Sequence, residues 1–110
     1  MQTYNKLVRD RIPEIIANNG ETCNTRTLDE AEYKTELRTK LAEELNEYLE
    51  AADDQSAVEE LADILELLHA LTAIHGSSAE QLEAVRAEKA EKRGGFKERI
   101  FLIDVQDAGY

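Results

Sequence analysis

Two long stretches of helical periodicity, separated by only a few polar residues, decide most of what this chain can fold into. From Thr27 to about Ala52 and from Ser56 to His75, apolar residues recur every three or four positions, the period of a helix with one buried face. Thr27 with Glu30, and Ser56 with Glu59, have the spacing of a capping box, and Gly76 follows the second stretch as a stop. Only Asp53-Asp54-Gln55 breaks the pattern between them, and so short a connection makes the two helices antiparallel neighbours. Pro13 suits the first turn of a shorter helix carrying Ile12, Ile15 and Ile16, which Asn19-Gly20 ends. Ser78 and Gln81 open a fourth helix that should end near Arg93, before Gly94-Gly95. Residues 21–28 have no clear period, and Phe96–Tyr110 reads as a non-helical tail in which Ile100–Ile103 can dock as an extended piece. The expected fold is all-α: a helical bundle of about four helices with a short extended C-terminal tail, in one domain over residues 1–110. A chain of 110 residues buries a limited core, so association between chains is expected.

Charge narrows the function classes. The chain has 24 Asp and Glu against 13 Lys and Arg, a formal net charge of −11. A phosphate backbone would be repelled by that excess, which argues against a duplex nucleic-acid partner. The longest apolar run, Ile100–Ile103, falls far short of the roughly 20 residues that cross a bilayer, so no membrane partner is expected. Met1–Arg9 lacks the basic start and apolar stretch of a secretory signal, and the single Cys23 can form neither an internal disulfide nor a zinc cluster. A cytoplasmic protein is expected.

The distribution of charge says more than the total. Residues 29–66 hold 14 acidic side chains and three basic ones, Lys34, Arg38 and Lys40, while residues 5–26 hold four basic side chains and residues 86–99 six. At 100° per residue, with Leu41 at zero, Glu44 falls at about 300°, on the edge of the apolar stripe formed by Leu37, Leu45, Tyr48, Leu49 and Ala52. Glu47 and Glu43 follow on one flank. Taken alone, such a cluster is an ordinary solvated face. The next helix is different. With Leu61 at zero, Glu60 falls at about 260°, inside the apolar arc between Leu67 and Ile64, and Asp63 lies on its edge. An ionised Glu on a core face is costly unless it is paired or holds a metal. Arg38 is one available pairing partner.

Glu44 and Glu47 are three apart, as are Glu60 and Asp63, so each pair shares a helix face and the two pairs can converge. An oxygen-only cage of this kind suits a hard cation, Mg²⁺ or alternatively Mn²⁺, and offers zinc nothing soft. A Mg²⁺ site that keeps open positions can accept a phosphate oxygen, which is the usual chemistry of nucleotide hydrolysis.

The strings EELNE (Glu43–Glu47) and EELAD (Glu59–Asp63) resemble the paired Glu-Glu-x-x-Glu and Glu-x-x-Asp motifs of the all-α NTP pyrophosphatases. That superfamily includes the MazG-type enzymes, the dimeric dUTPases and phosphoribosyl-ATP pyrophosphohydrolase. NKLVRDRIPEII (Asn5–Ile16) and KRGGFKERIFL (Lys92–Leu102) are similar to the ends of the small MazG-related, phosphoribosyl-ATP-pyrophosphohydrolase-like proteins. The resemblance covers most of the chain. It implies a helical bundle enzyme, completed by oligomerisation as a homodimer or homotetramer, that uses Mg²⁺ to cleave a nucleoside triphosphate between the α and β phosphates, giving a monophosphate and pyrophosphate, as house-cleaning enzymes do to unwanted nucleotides. Carried over by position, it implies that Glu44, Glu47, Glu60 and Asp63 are metal ligands and that Glu43 and Glu60 serve catalysis. The stretch between the motifs, Tyr48–Glu59, is short for the superfamily, and the features that define substrate in better-known members are not recognisable. Base and sugar therefore stay open.

The basic ends suit the same reading. Lys6 and Arg9 precede the first helix, Lys89 and Arg93 share a face of the fourth, and guanidinium forks bind phosphate oxygens bidentately. All four are candidate substrate-binding residues. Glu66 and His69 are spaced like a di-iron ligand pair, but His69 points away from Glu60 and reads as structural. Two alternatives stand beside the leading one: a non-enzymatic acidic helical module that binds a partner protein, and, within the enzyme class, hydrolysis of phosphoribosyl-ATP itself.

Overall fold

The computed structural model describes residues 2–107; Met1 and the last three residues of the expected tail, 108–110, lie outside the described residues. The fold is all-α, with four helices and no strand among the described residues: α1 (Ile12–Asn18), α2 (Glu30–Leu49), α3 (Asp54–Ile74) and α4 (Ala79–Arg93). The chain divides into two compact units, Met1–Ser78 and Ala79–Tyr110. No helix among the described residues is long and apolar enough to cross a membrane.

The first unit is organised by α2 and α3, the helix pair that packs together. Both start where an aspartate caps them, and both starts differ from the sequence expectation. Asp29, not Thr27, caps α2: its side chain accepts from the Glu32 N–H at 2.9 Å, and the Glu32 carboxylate reaches back to the Asp29 N–H. Arg26 bonds both oxygens of Glu32, at 3.2 and 2.9 Å, and so fixes the carboxylate that closes the box. Asp53, not Ser56, caps α3, accepting from the Ser56 N–H at 2.8 Å. In each case an ionised acceptor two or three residues from the expected cap wins, because charge strengthens the hydrogen bond and suits the positive end of the helix dipole. Asp54 and Gln55, expected as part of a break, are therefore the first residues of α3, and α2 ends at Leu49 rather than near Ala52. The connection that remains, residues 50–53, enforces the antiparallel hairpin.

The helix stops follow the sequence closely. After α1, the Gly20 N–H bonds Ala17 O and the Glu21 N–H bonds Ile16 O; after α3, Gly76 bonds Ala73 O and Ser77 bonds Thr72 O. These are the paired bonds of a Schellman motif, which needs a left-handed residue, and Gly20 (φ 79°) and Gly76 (φ 75°) supply it.

The core is small and lies between α2 and α3. Leu37, Ile64 and Leu67 are buried, and Glu44 is buried with them. The wide apolar arcs thus split in two. One half packs inside the hairpin, whereas Leu45, Leu49, Val58, Leu61, Leu65 and Leu68 stay exposed, Leu49 at 75%. The stripe centred on Leu41 is displaced accordingly: Leu45 and Leu49, expected inside, face out, and Glu44, expected at the edge, faces in. Residues 2–11 have neither helix nor strand and form an N-terminal arm leading into α1. Cys23 is exposed between α1 and α2.

In the second unit, α4 carries no buried residue and ends before Gly94, which is left-handed (φ 79°). A turn at Phe96–Arg99 follows, closed by the Arg99 N–H to Phe96 O at 3.2 Å. Ile100–Ile103, expected to dock as an extended piece, are exposed.

The caps make a simple prediction. Asp29→Ala should cost about 1 kcal/mol and lower the melting temperature by several degrees, whereas Thr27→Ala should be close to neutral; thermal unfolding of both variants checks it.

Candidate metal centre

Glu44 and Glu47 come from the middle and end of α2, and Glu60 from the first half of α3. The spacing of three along α2 puts its two carboxyls on one face, and hairpin packing brings Glu60 opposite. One oxygen from each of the three lies within 4.8 Å of the others. Burial is graded: Glu44 is 8% exposed, Glu60 half-buried and Glu47 exposed. Glu44 Oε2 and Glu60 Oε2 are both cut off from solvent and have no hydrogen-bond partner. Buried carboxylate oxygens are normally satisfied, and each orphan costs free energy.

Fit to a cation can be judged on this geometry. Oxygens on opposite sides of a Mg²⁺ are about 4.2 Å apart, at about 2.1 Å from the ion. Adjacent oxygens of an octahedral Mg²⁺ are only about 3.0 Å apart, so sharing one ion would take a closure of up to about 2 Å among the three carboxylates, whose donors are all hard oxygen. A divalent cation there would offset the like charges, and three carboxylates are a donor set that fits a hard ion.

Electrostatics point the same way. Burial, first, and then the close approach of the Glu60 and Glu47 carboxyls and the charges of Glu47 and Asp63 push the Glu44 carboxyl up to about 7. Three carboxyls this close cannot all ionise cheaply, so one holds its proton. Lys40, one turn before Glu44 on α2, is the nearest cation on that helix, with Nζ 3.9 Å from Glu44 Oε1.

The other sequence candidates take different places. Asp63 lies outside the cluster of three: its Oδ1 accepts from Arg9 Nη2 at 2.5 Å. Glu43 Oε1 accepts from Lys6 Nζ at 2.8 Å, which holds the Glu43 carboxyl below its ordinary range and raises the Lys6 ammonium. Lys6 and Arg9 thus reach the helix pair from the arm. Asn5, just before Lys6, takes the left-handed conformation (φ 48°), which asparagine tolerates better than most residues. The pairing of Glu60 with Arg38 weighed from sequence is not what is found, since Glu60 keeps an orphan oxygen. Lys89 and Arg93 lie on α4 in the second unit, Arg93 in its last turn.

Two shallow hollows flank this arrangement. One, of about 260 Å³, is lined by Arg9, Lys40, Glu44 and Asp63 together with Val8 and Leu67. The other, of about 240 Å³, is lined by Lys6, Lys40 and Glu43 with Tyr4, Asn5 and Thr39 among its walls. Lys40 lines both, a role the sequence analysis missed, although its place four residues before Glu44 was the available signal.

Comparison with known proteins gives little to set beside this geometry. An uncharacterized protein of Mycolicibacterium smegmatis is 52% identical over 52 residues, covering 47% of this chain and 52% of the relative. The chain thus spans about half the length of the curated relative it matches. No protein-family profile matches the chain, and no solved structure matches it.

The buried carboxyl dictates a pH dependence. Glu44 in the folded chain binds its proton up to about 7, against 4.5 for an ordinary glutamate. The folded state therefore carries the extra proton between those values, and stability falls as pH rises from about 4.5 to about 7. In the absence of divalent cations, Glu44→Gln should stabilise the protein at pH 8 by up to about 3 kcal/mol, with the gain shrinking toward zero near pH 4.5. Urea unfolding at pH 5 and pH 8 measures it.

Proposed function

We propose that this protein is a Mg²⁺-dependent nucleoside triphosphate pyrophosphohydrolase, releasing a nucleoside monophosphate and pyrophosphate from a cytoplasmic nucleotide pool. The observation that carries this reading is Glu44: a buried carboxyl with an orphan oxygen, facing Glu47 and an equally orphaned Glu60. A divalent cation bound there supplies neutralisation of phosphate charge and a more acidic water. Glu44, Glu47 and Glu60 would hold it, and Asp63 would join them once released from Arg9. In the reaction, water oxygen bonds to phosphorus and the phosphorus–bridging-oxygen bond at the α–β link breaks. The sequence resemblance gives Glu43 and Glu60 the catalytic roles, and a carboxylate at either place could take the proton of that water. Arg9, Lys6 and Lys40 line the two hollows and offset charge growing on the phosphates. The roles of Lys89 and Arg93 as further phosphate contacts, and the extension to phosphoribosyl-ATP as substrate, rest on the sequence resemblance.

Each hollow is below the range of about 300–1,000 Å³ usual for small-ligand pockets, so a nucleotide needs additional walls. The exposed apolar strip of Leu45, Leu49, Leu61, Leu65 and Leu68 is where a second copy would seat and supply them. The same strip supports the other reading, a non-enzymatic module that docks on a partner protein through this face.

A panel of ordinary and modified nucleoside triphosphates with purified protein and Mg²⁺ distinguishes the two. The expected result is monophosphate and pyrophosphate in equal amounts, lost with EDTA and reduced at least a hundredfold in Glu60→Gln while the fold is retained. No turnover on any member would contradict the enzyme, and full activity in Glu60→Gln would contradict the carboxylate site. For the second copy, sedimentation should show at least a dimer that Leu65→Arg converts to a monomer.

A further inference from the structure

The N-terminal arm has no helix or strand of its own between residues 2 and 11, yet its course across α2 and α3 is definite. Two ion pairs span it and the hairpin: Lys6 to Glu43, 37 residues apart, and Arg9 to Asp63, 54 apart. One ends on each acidic motif. The two carboxylates differ in what surrounds them. Glu43 is not one of the three clustered carboxylates, so a cation there does not compete directly with Lys6 for it. Asp63 shares a hollow with Glu44, and its charge is felt at the Glu44 carboxyl.

Asp63 therefore has two claimants. A divalent ion at the cluster attracts that carboxylate with twice the charge of a guanidinium and repels Arg9 from the same hollow. The Arg9–Asp63 pair is partly exposed, with side chains 55% and 39% accessible, and exposed pairs are weak enough to exchange partners readily. A guanidinium released there stays beside the cluster, because Lys6 keeps the arm anchored three residues earlier. It then presents a planar fork suited to a phosphate oxygen pair.

We propose that Arg9 is the internal counterion of Asp63, and that it exchanges this carboxylate for a substrate phosphate when a divalent cation binds, which makes cation binding a precondition for phosphate binding at the arm. This rests on the metal-centre reading above and adds an order of events to it. Arg9 thus serves as both placeholder and phosphate ligand, with Lys6 as the hinge that stays.

Arg11 provides a matched control, since it carries the same charge two residues later but pairs locally with Glu14. Calorimetric titration of the full chain with Mg²⁺ alone, for wild type, Arg9→Ala and Arg11→Ala, separates competition from general charge. Arg9→Ala should bind Mg²⁺ about three- to fivefold more tightly than wild type, and Arg11→Ala within about twofold. In parallel, the Arg9 guanidinium ¹H–¹⁵N signals of wild type should shift or broaden along the same Mg²⁺ titration, while those of Arg11 stay. Equal affinities for the two variants, or an Arg9 signal unmoved at saturating Mg²⁺, would overturn the exchange and leave the metal centre intact. Absence of saturable Mg²⁺ binding in all three proteins would overturn both.

Discussion

The carboxyl of Glu44, buried where α2 meets α3, is the constraint around which the first unit is arranged. Burying a carboxylate in a core this small is costly, and its surroundings add to the cost, since Glu47, Glu60 and Asp63 are all acidic. Lys40 is the nearest basic group on the same helix, and at 3.9 Å it makes a weak contact. The site keeps a proton to relieve the strain, and two of its oxygens go without partners. A core position filled by Leu or Ile would hold the hairpin better.

The arm makes sense in this light. It has little apolar anchorage: Leu7 and Ile12 are partly covered, and α1 buries no residue fully. What ties it down is charge, through Lys6 and Arg9, so that the basic start of the chain serves as counterweight to the acidic hairpin. The apolar strip of the hairpin stays exposed, and both hollows beside the arm are small.

Much of this was legible in the sequence, for identifiable reasons. Helix number and the short α2–α3 connection followed from periodicity, and Gly20 and Gly76 marked their helix ends because Schellman geometry leaves few residues to choose from. The half-buried place of Glu60 was legible as well, since the helical period puts it inside the apolar arc. Cap identity was not: Thr27 and Asp29, or Ser56 and Asp53, offer overlapping box spacings, and the choice depends on which side chain meets the free N–H groups. Nor was the half of each apolar arc that packs inside. A helical wheel gives the width of an arc, but its partner decides which half is used, and that reversed Leu45 and Glu44. The bonds of Lys6 to Glu43 and Arg9 to Asp63 join residues far apart in sequence, with no local pattern to announce them.

The account stands on the idea that Glu44 holds a proton in place of a cation. The most direct test is calorimetric titration with Mg²⁺ in several buffers of different ionisation enthalpy, which counts the protons released per ion bound. Because ligands must be deprotonated to bind metal, roughly one proton should leave per Mg²⁺ at pH 6, falling toward none at pH 9. Saturable binding with no proton release at pH 6, or no binding at all, would contradict it.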